Sequence, residues 1–206
     1  PNGKYSFDPG AASVAQCSSC PAGTAMTALG PPRVCTICPA GFFQPSVPVA
    51  VTTTLLCQGC PAGRYLLDNS TLSAEHDDVS DCLNCSAGTA FDSPTEPCTV
   101  CGAGTYQDAN DAAGPTCANC PAGRYLLDSG TLAASHDNVS DCTSCDTAGR
   151  FTGDPAVACT ICPGGYYTSA SADISSCVAC AAGKFNGDKA ETPNQHDAES
   201  DCDACP

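Results

Sequence analysis

Cysteine dominates the side chains that could do chemistry. The 206 residues include 20 Cys, all in ten C-x-x-C pairs. Such pairs form disulfides, bind zinc or carry redox chemistry. A thioredoxin-like redox site requires a βαβ context that is absent, and zinc–thiolate sites would add negative charge to an acidic chain. The sequence therefore predicts disulfides at Cys17, Cys20, Cys35, Cys38, Cys57, Cys60, Cys82, Cys85, Cys98, Cys101, Cys117, Cys120, Cys142, Cys145, Cys159, Cys162, Cys177, Cys180, Cys202 and Cys205.

Two disulfide patterns are compatible with these pairs. In the first, the second Cys of each pair bonds the first Cys of the next, as in Cys20–Cys35. This pattern leaves Cys17 and Cys205 for neighbouring links. In the second, adjacent pairs interlock and all ten bonds close within the chain. The spacing alone does not choose between them.

The three histidines are the other candidates for chemistry. His76, His136 and His196 lie 60 residues apart, each followed by Asp and by a second Asp four residues later. Catalysis requires one constellation converging in a pocket, whereas this motif recurs along the chain. We therefore expect a repeated turn or cap and predict no catalytic residue, no enzyme activity and no cofactor. A calcium site is the minority alternative, with carboxylate ligands from Asp77, Asp81, Asp137, Asp141, Asp197 and Asp201.

A 60-residue period organises the chain. It predicts repeat units at residues 1–60, 61–120 and 121–180 and a partial unit at 181–206. Within the second and third units, CPAGRYLLDNSTLSAEHDDVSDC stands beside CPAGRYLLDSGTLAASHDNVSDC. Repeats of this length stack on their neighbours. Because the pattern runs to both ends of the sequence, we interpret the chain as a window from a longer array or one link of a head-to-tail assembly.

Composition limits both the core and the partners. With six Phe, six Tyr, one Met and no Trp, the chain cannot fill a large core and must depend on cross-links. A net charge of −15 argues against nucleic acid and anionic membranes as partners. No apolar run predicts a membrane-spanning segment. The predicted fold is small and disulfide-rich, mostly loops and short β-hairpins, in an elongated tandem-repeat rod with little helix.

Each sub-repeat carries its own turn signal. A Pro usually follows the second Cys of a pair, and a Gly lies three residues after that Cys, which predicts a tight turn. Asp146 takes the place of the Pro in one sub-repeat. An aromatic ring follows, and we expect it to cover a disulfide and supply most of the apolar burial. A helical turn is predicted before Cys82 and its two counterparts, with Ser73 as its N-cap.

The motifs CPAGRY, CPAGFF and CGAGTY, each followed by a variable loop and the next C-x-x-C, resemble ephrin-receptor-like cysteine-rich repeats. Those repeats are similar to tumour-necrosis-factor-receptor modules. Tandem copies with HDDVSDC-like tails resemble surface proteins of algae and other unicellular eukaryotes. The resemblance implies an extracellular, disulfide-bonded array. It implies no catalytic residue and no single function, because such modules occur in receptors, adhesins, coats and filaments.

The remaining motifs concern modification. Asn69, Asn84 and Asn138 begin N-x-S/T sequons and are predicted to carry N-linked glycans. Residues 45–54, with Thr52, Thr53 and Thr54, suit either O-linked sugar or an ordinary loop. We expect a glycosylated extracellular structural protein at the cell surface, part of a fibre, coat or appendage that self-associates head-to-tail. The alternative is a ligand-binding receptor or adhesin ectodomain.

Overall fold

A computed structural model describes residues 4–5, 18–26, 34–45, 56–110, 113–169 and 174–206. Cys17 and Thr52, Thr53 and Thr54 lie outside the described residues. The described residues fold as short antiparallel hairpins joined by loops, which confirms the predicted fold class of a small disulfide-rich protein with little helix. The division into 60-residue units stays a prediction.

Within the described ranges, twenty strands of two or three residues pair in chain order, β1 with β2, β3 with β4 and so on to β19 with β20. Strands this short hold little free energy of their own, so cross-links must hold each hairpin. Their bounds are β1 Lys4–Tyr5, β2 Ser18–Ser19, β3 Thr24–Met26, β4 Cys35–Ile37, β5 Phe42–Phe43, β6 Gln58–Gly59, β7 Arg64–Tyr65, β8 Leu83–Asn84, β9 Thr89–Ala90, β10 Thr99–Val100, β11 Thr105–Tyr106, β12 Ala118–Asn119, β13 Arg124–Tyr125, β14 Thr143–Ser144, β15 Arg150–Phe151, β16 Thr160–Ile161, β17 Tyr166–Tyr167, β18 Val178–Ala179, β19 Lys184–Phe185 and β20 Asp203–Ala204.

The Pro–Ala–Gly motif forms the turn that enters several of the hairpins. In one copy, the N–H of Arg124 donates to the carbonyl oxygen of Pro121, and Gly123 has φ 76°. This left-handed position favours glycine. The turn near Asp146, which takes the place of the Pro, is shifted along the chain. There the N–H of Arg150 donates to Thr147, one residue later, because the left-handed Gly149 sits one residue further from the cysteine.

Disulfides close the hairpins according to the first of the two patterns, and the interlocked alternative is wrong. In every described bond the second Cys of one pair joins the first Cys of the next. Cys205 is exposed and forms no disulfide within the described part of the chain. The nine bonds are Cys20–Cys35, Cys38–Cys57, Cys60–Cys82, Cys85–Cys98, Cys101–Cys117, Cys120–Cys142, Cys145–Cys159, Cys162–Cys177 and Cys180–Cys202.

The chain forms two compact units. The first comprises Pro1–Cys85, Phe91–Thr99 and Asn110–Pro115, and the second comprises Ser86–Ala90, Val100–Ala109 and Thr116–Pro206. The first contains an apolar cluster of Phe43, Leu66 and Cys82 with Cys60 against it, and the second contains one of Cys120, Leu126 and Cys142 with Tyr106 against it.

Sulfur and leucine, rather than aromatic rings, form most of this small core. Phe43 is the only aromatic residue that is buried among the described residues, and Phe185 is 44% exposed. Tyr65, Tyr106, Tyr125 and Tyr167 are half-buried, and the expectation that the rings supply most of the apolar burial stays a prediction.

Backbone hydrogen bonds also link one hairpin to the next. The N–H of Gly41 in the turn before β5 donates to the carbonyl oxygen of Leu66 after β7, at 2.9 Å. The same bond runs from Gly104 to Leu126 at 2.8 Å and from Gly165 to Asn186 at 3.0 Å. In these three places, successive hairpins are thus joined by a bond that depends on backbone geometry rather than on side-chain identity.

The helical content of the described residues is restricted to single 3₁₀ turns. They span Ser73–Glu75, Val79–Asp81, Ala133–Ser135, Val139–Asp141, Pro193–Gln195 and Glu199–Asp201. Ser73 is the first residue of its turn, and Leu72 occupies the N-cap without a side-chain hydrogen bond, so the prediction of Ser73 as N-cap was wrong. No helix within the described ranges is long and apolar enough to cross a membrane.

Candidate functional site: a repeated buried histidine

Three long loops carry the three histidines. We name them the His76 loop (66–82), the His136 loop (126–142) and the His196 loop (186–202). Each loop connects the two strands of one hairpin. A disulfide with a sequence separation of 22 residues closes each of them. The three loops therefore have the same covalent frame and can be compared position by position.

His76 is completely buried and binds two different partners. Its Nδ1 lies 2.6 Å from the carbonyl oxygen of Phe42 in β5, on the preceding hairpin. Its Nε2 lies 3.0 Å from a carboxylate oxygen of Asp68 in its own loop. In addition, the carbonyl oxygen of His76 accepts the N–H of Gln44 at 2.7 Å. The histidine thus attaches its loop to the preceding hairpin through both ring and backbone.

The same arrangement occurs in the other two loops. Nδ1 of His136 is 2.7 Å from the carbonyl oxygen of Thr105, and Nε2 is 2.9 Å from Asp128. Both rings, of His136 and His196, are fully buried. The corresponding distances for His196, to Tyr166 and Asp188, are 2.7 Å and 3.0 Å.

The partners determine where the protons lie. A carbonyl oxygen can only accept, so Nδ1 of each histidine must donate its proton to the preceding hairpin. Nε2 of each ring faces a carboxylate oxygen of the aspartate in its own loop. The three loops are therefore each held by a buried histidine ring that bridges a carbonyl oxygen of the preceding hairpin and a half-buried aspartate.

The aspartates are ionised because their surroundings stabilise the carboxylate. The side-chain hydroxyl of Thr71 holds the pKa of Asp68 well below its ordinary value, and the hydroxyl of Thr131, followed by the ring of His136, does so for Asp128. The backbone N–H of Thr192 makes the largest contribution to lowering the pKa of Asp188. In the first two loops these carboxylates accept from the threonine hydroxyl and from backbone N–H groups.

A left-handed residue follows each of these aspartates. Ser70 has φ 60°, Gly130 has φ 92° and Ala190 has φ 65°. Only the glycine adopts this conformation without strain. The tight turn lets one carboxylate reach both the backbone that follows it and the histidine eight residues downstream.

The second carboxylate of the sequence motif has a different role. Oδ2 of Asp81 accepts the N–H of Asp78 at 2.9 Å, and that of Asp141 accepts the N–H of Asn138 at 2.9 Å. Oδ2 of Asp201 accepts from both Asp197 and Ala198. These side chains cap the second 3₁₀ turn of each loop.

The carboxylates considered as calcium ligands do not form a metal-binding cluster within the described residues. Within the part of the chain that the structure describes, no group of three or more His, Cys, Asp or Glu could hold a metal ion. Asp77, Asp137 and Asp197 follow the histidines, and Asp137 is exposed. Calcium binding at these carboxylates stays a prediction, without a preformed ligand set.

Sequence reasoning missed the partners of the histidines. Asp68, Asp128 and Asp188 keep the same 60-residue step as the histidines, and that step was a signal that could have identified them. The carbonyl partners left no signal, because a backbone oxygen on another hairpin has no residue type that the sequence could show.

The three sequons lie on the surface. Asn69, Asn84 and Asn138 are all exposed. Asn84 belongs to β8 and precedes Cys85, whose disulfide is buried. Oδ1 of Asn138 accepts the N–H of Ser140 at 2.9 Å, which leaves the glycan-bearing atom, Nδ2, on the other side of the amide.

Comparison with known families identifies one segment of the chain. Residues 88–142 match the family described as tyrosine-protein kinase ephrin type A/B receptor-like. The predicted resemblance to ephrin-receptor-like repeats is confirmed there. The matched segment contains two complete disulfides, Cys101–Cys117 and Cys120–Cys142, and the whole His136 loop. It also contains Cys98, whose partner Cys85 lies just before it.

Two curated relatives are similar to a larger part of the chain. Both are called signal peptide, CUB and EGF-like domain-containing protein 2. The mouse protein is 31% identical over 124 residues, covering 55% of this chain, and the human protein is 32% identical over 103 residues, covering 50%. The chain spans 12% and 10% of their lengths. These comparisons and the nine disulfides fit an extracellular cysteine-rich repeat protein, and neither relative's name describes an enzyme.

Proposed function

We propose that the chain is a structural segment of a glycosylated extracellular fibre, coat or surface appendage, with no catalytic activity. The observation that carries the proposal is the rule that links the hairpins. One disulfide pattern and one kind of inter-hairpin hydrogen bond recur along the described chain, independently of the side chains between them. A rule of this kind can be extended by adding further hairpins, as in other repeat proteins.

Cys205 supports a covalent extension of the array. Its N–H donates to the carbonyl oxygen of Gly183 at 2.8 Å. The N–H groups of Cys85 and Cys145 bind the corresponding Gly63 and Gly123, and the sulfur atoms of both these cysteines form disulfides with the next pair. We propose that Cys205, which is exposed, pairs in the same way with the first cysteine of a further repeat or of another copy.

Non-reducing gel electrophoresis and electron microscopy of native material test this proposal. We expect higher-order species that disappear on reduction, and filaments or sheets in the micrographs. Cys205→Ser should shorten the ladder of species, whereas Asp203→Ser, an exposed neighbour without a sulfur atom, should leave it unchanged. Dispersed monomers alone in native material would contradict the structural role.

We propose that Asn69 and Asn138 carry N-linked glycans and that Asn84 is modified least. Asn84 lies in a paired strand beside a buried disulfide, so a transferase must act there before the hairpin closes. A glycopeptide map checks the order of occupancy. Full occupancy at Asn84 with none at Asn69 would contradict it.

A receptor or adhesin ectodomain is the second candidate function. It is favoured by the difference among the three histidine loops, because two of them expose leucine and valine side chains that the third lacks. A soluble ligand that binds the isolated chain as a monomer, with no assembly of native material, would support it over the structural role.

A further inference from the structure

Two of the three histidine loops present apolar side chains to solvent at equivalent positions. In the His76 loop, Leu67 is 49% exposed, Leu72 58% and Val79 40%. In the His136 loop, the same positions are exposed to a similar degree. We call these two sets the apolar loop surfaces: Leu67, Leu72 and Val79 in the first, and Leu127, Leu132 and Val139 in the second.

The His196 loop has none of these side chains. At the same positions it carries Gly187, Thr192 and Glu199. Its backbone is nevertheless the same, since the residue before the first 3₁₀ turn has φ −127° and ψ 110°, against −131° and 116° at Leu72. The buried histidine and its aspartate are also retained. The apolar side chains are therefore not needed to fold the loop.

These apolar side chains are exposed at equivalent positions in two loops and are not needed for the fold, so they are available for contact with another molecule. Charge shows what kind of molecule it is. The His76 loop contains five acidic residues and no Lys or Arg, and the His136 loop contains three acidic residues and no Lys or Arg. Exposed Glu75 and Asp78 lie in the same loop as the first apolar loop surface, and exposed Asp137 lies in the same loop as the second.

We propose that each apolar loop surface binds a cationic, apolar segment of a partner protein, with leucine or valine side chains in contact and Lys or Arg beside the loop carboxylates. A second copy of this chain is a poor occupant, because its net charge of −15 would bring carboxylates against carboxylates. The chain thus has two equivalent sites and one loop that lacks the site. This proposal does not depend on assembly into a fibre.

Binding of two model peptides to the full chain tests the proposal. A peptide of alternating Lys and Leu serves as the probe, and one of alternating Lys and Ser has equal charge without apolar side chains. We expect the full chain to bind two Lys–Leu peptides by calorimetry and to bind the Lys–Ser peptide at least about tenfold more weakly. Equal binding of the two peptides would show a purely ionic interaction and overturn the proposal.

A transplant between loops separates apolar contact from charge. The variant L67G/L72T/V79E/L127G/L132T/V139E gives both loops the residues of the His196 loop and adds two negative charges. Apolar docking predicts at least about tenfold weaker binding of the Lys–Leu peptide, whereas a purely ionic contact would become stronger. Unchanged or tighter binding overturns the proposal. An unchanged disulfide map verifies that the variant folds.

The reverse substitutions are expected to add a binding site, a result that misfolding of the variant cannot produce. The variant G187L/T192L/E199V introduces the apolar residues into the His196 loop, and we expect it to bind three peptides instead of two. A stoichiometry that stays at two overturns the proposal. Sedimentation of the unmodified chain tests whether a second copy of the chain occupies the apolar loop surfaces. Self-association that the six-substitution variant abolishes would assign the surfaces to a second copy and would also overturn the proposal.

Discussion

The His136 loop and the His196 loop have a similar backbone and the same buried histidine, but different surroundings. In the first, Leu126 is buried against Cys120 and Cys142. In the second, Asn186 takes that position and donates to the carbonyl oxygen of Gln195. Both loops still place the histidine on a carbonyl of the preceding hairpin. The comparison teaches that the polar contact determines the loop conformation, whereas the leucine adds stability that the loop can do without.

Removing the disulfide of each loop should have the largest effect. Chain entropy predicts a loss of about 3 kcal/mol for a loop of this length, equal for Cys120→Ser/Cys142→Ser and Cys180→Ser/Cys202→Ser. Hydrogen exchange of the amides in each loop measures the local stability. Because the two covalent loops have equal length, any difference between the variants reports the contribution of their packing. Cys205→Ser is the control and should change nothing in either loop.

Replacing the histidine comes next. His136→Ala and His196→Ala each remove two buried hydrogen bonds, and we expect a loss of about 2 kcal/mol in both loops. Hydrogen exchange of the loop amides measures the loss. A variant with undiminished amide protection would mean that the leucine rather than the histidine determines the conformation.

Exchanging the leucine and the asparagine tests the comparison directly. Leu126→Asn should destabilise the His136 loop by about 2 kcal/mol, because a buried leucine loses its apolar contacts. Asn186→Leu should not produce a matching gain in the His196 loop, because it removes the hydrogen bond to the carbonyl oxygen of Gln195 and because Phe185 beside it is exposed and offers no closed cluster. Hydrogen exchange of the two loops measures both. Equal and opposite changes would show that the surroundings of the two positions do not differ.

Acid should weaken the two loops through their aspartates. The pKa of Asp128 and of Asp188 is lowered in the folded chain, whereas the pKa of an unfolded Asp is about 3.9. Their contribution to stability is therefore complete above that value and is lost as the pH falls toward the folded pKa. The amide shifts of Thr131 and Thr192 report the titration. Midpoints at the ordinary value of aspartate would contradict the stabilised carboxylates, and Asp128→Asn should remove the transition in its own loop.

The cap of the second 3₁₀ turn should have the smallest effect. Asn138 accepts the N–H of Ser140, whereas Ala198 at the same position of the His196 loop cannot and the turn still forms. Asn138→Ala should therefore cost about 0.5 kcal/mol, at the low end for an N-cap. Amide exchange of the turn in unglycosylated protein measures it. Melting of the whole loop would show that the cap, and not the histidine, holds the conformation.

The amino-acid sequence by itself determined the cysteine pairs, the 60-residue period and the turns, because these depend on residues close in the chain. The Pro–Ala–Gly motif sets its own dihedral angles, and a core poor in large side chains requires cross-links. The turn at Thr147 departs from the pattern because one inserted residue places Gly149 four residues after Cys145 instead of three.

Only the tertiary structure decided how the cysteines pair and what the histidines do. Both disulfide patterns satisfy the same spacing, and they differ in which hairpins lie side by side. The role of His136 depends on Asp128, eight residues away around a left-handed turn, and on a backbone oxygen of another hairpin. A backbone acceptor is present at every residue, so its selection depends on three-dimensional placement and not on residue type.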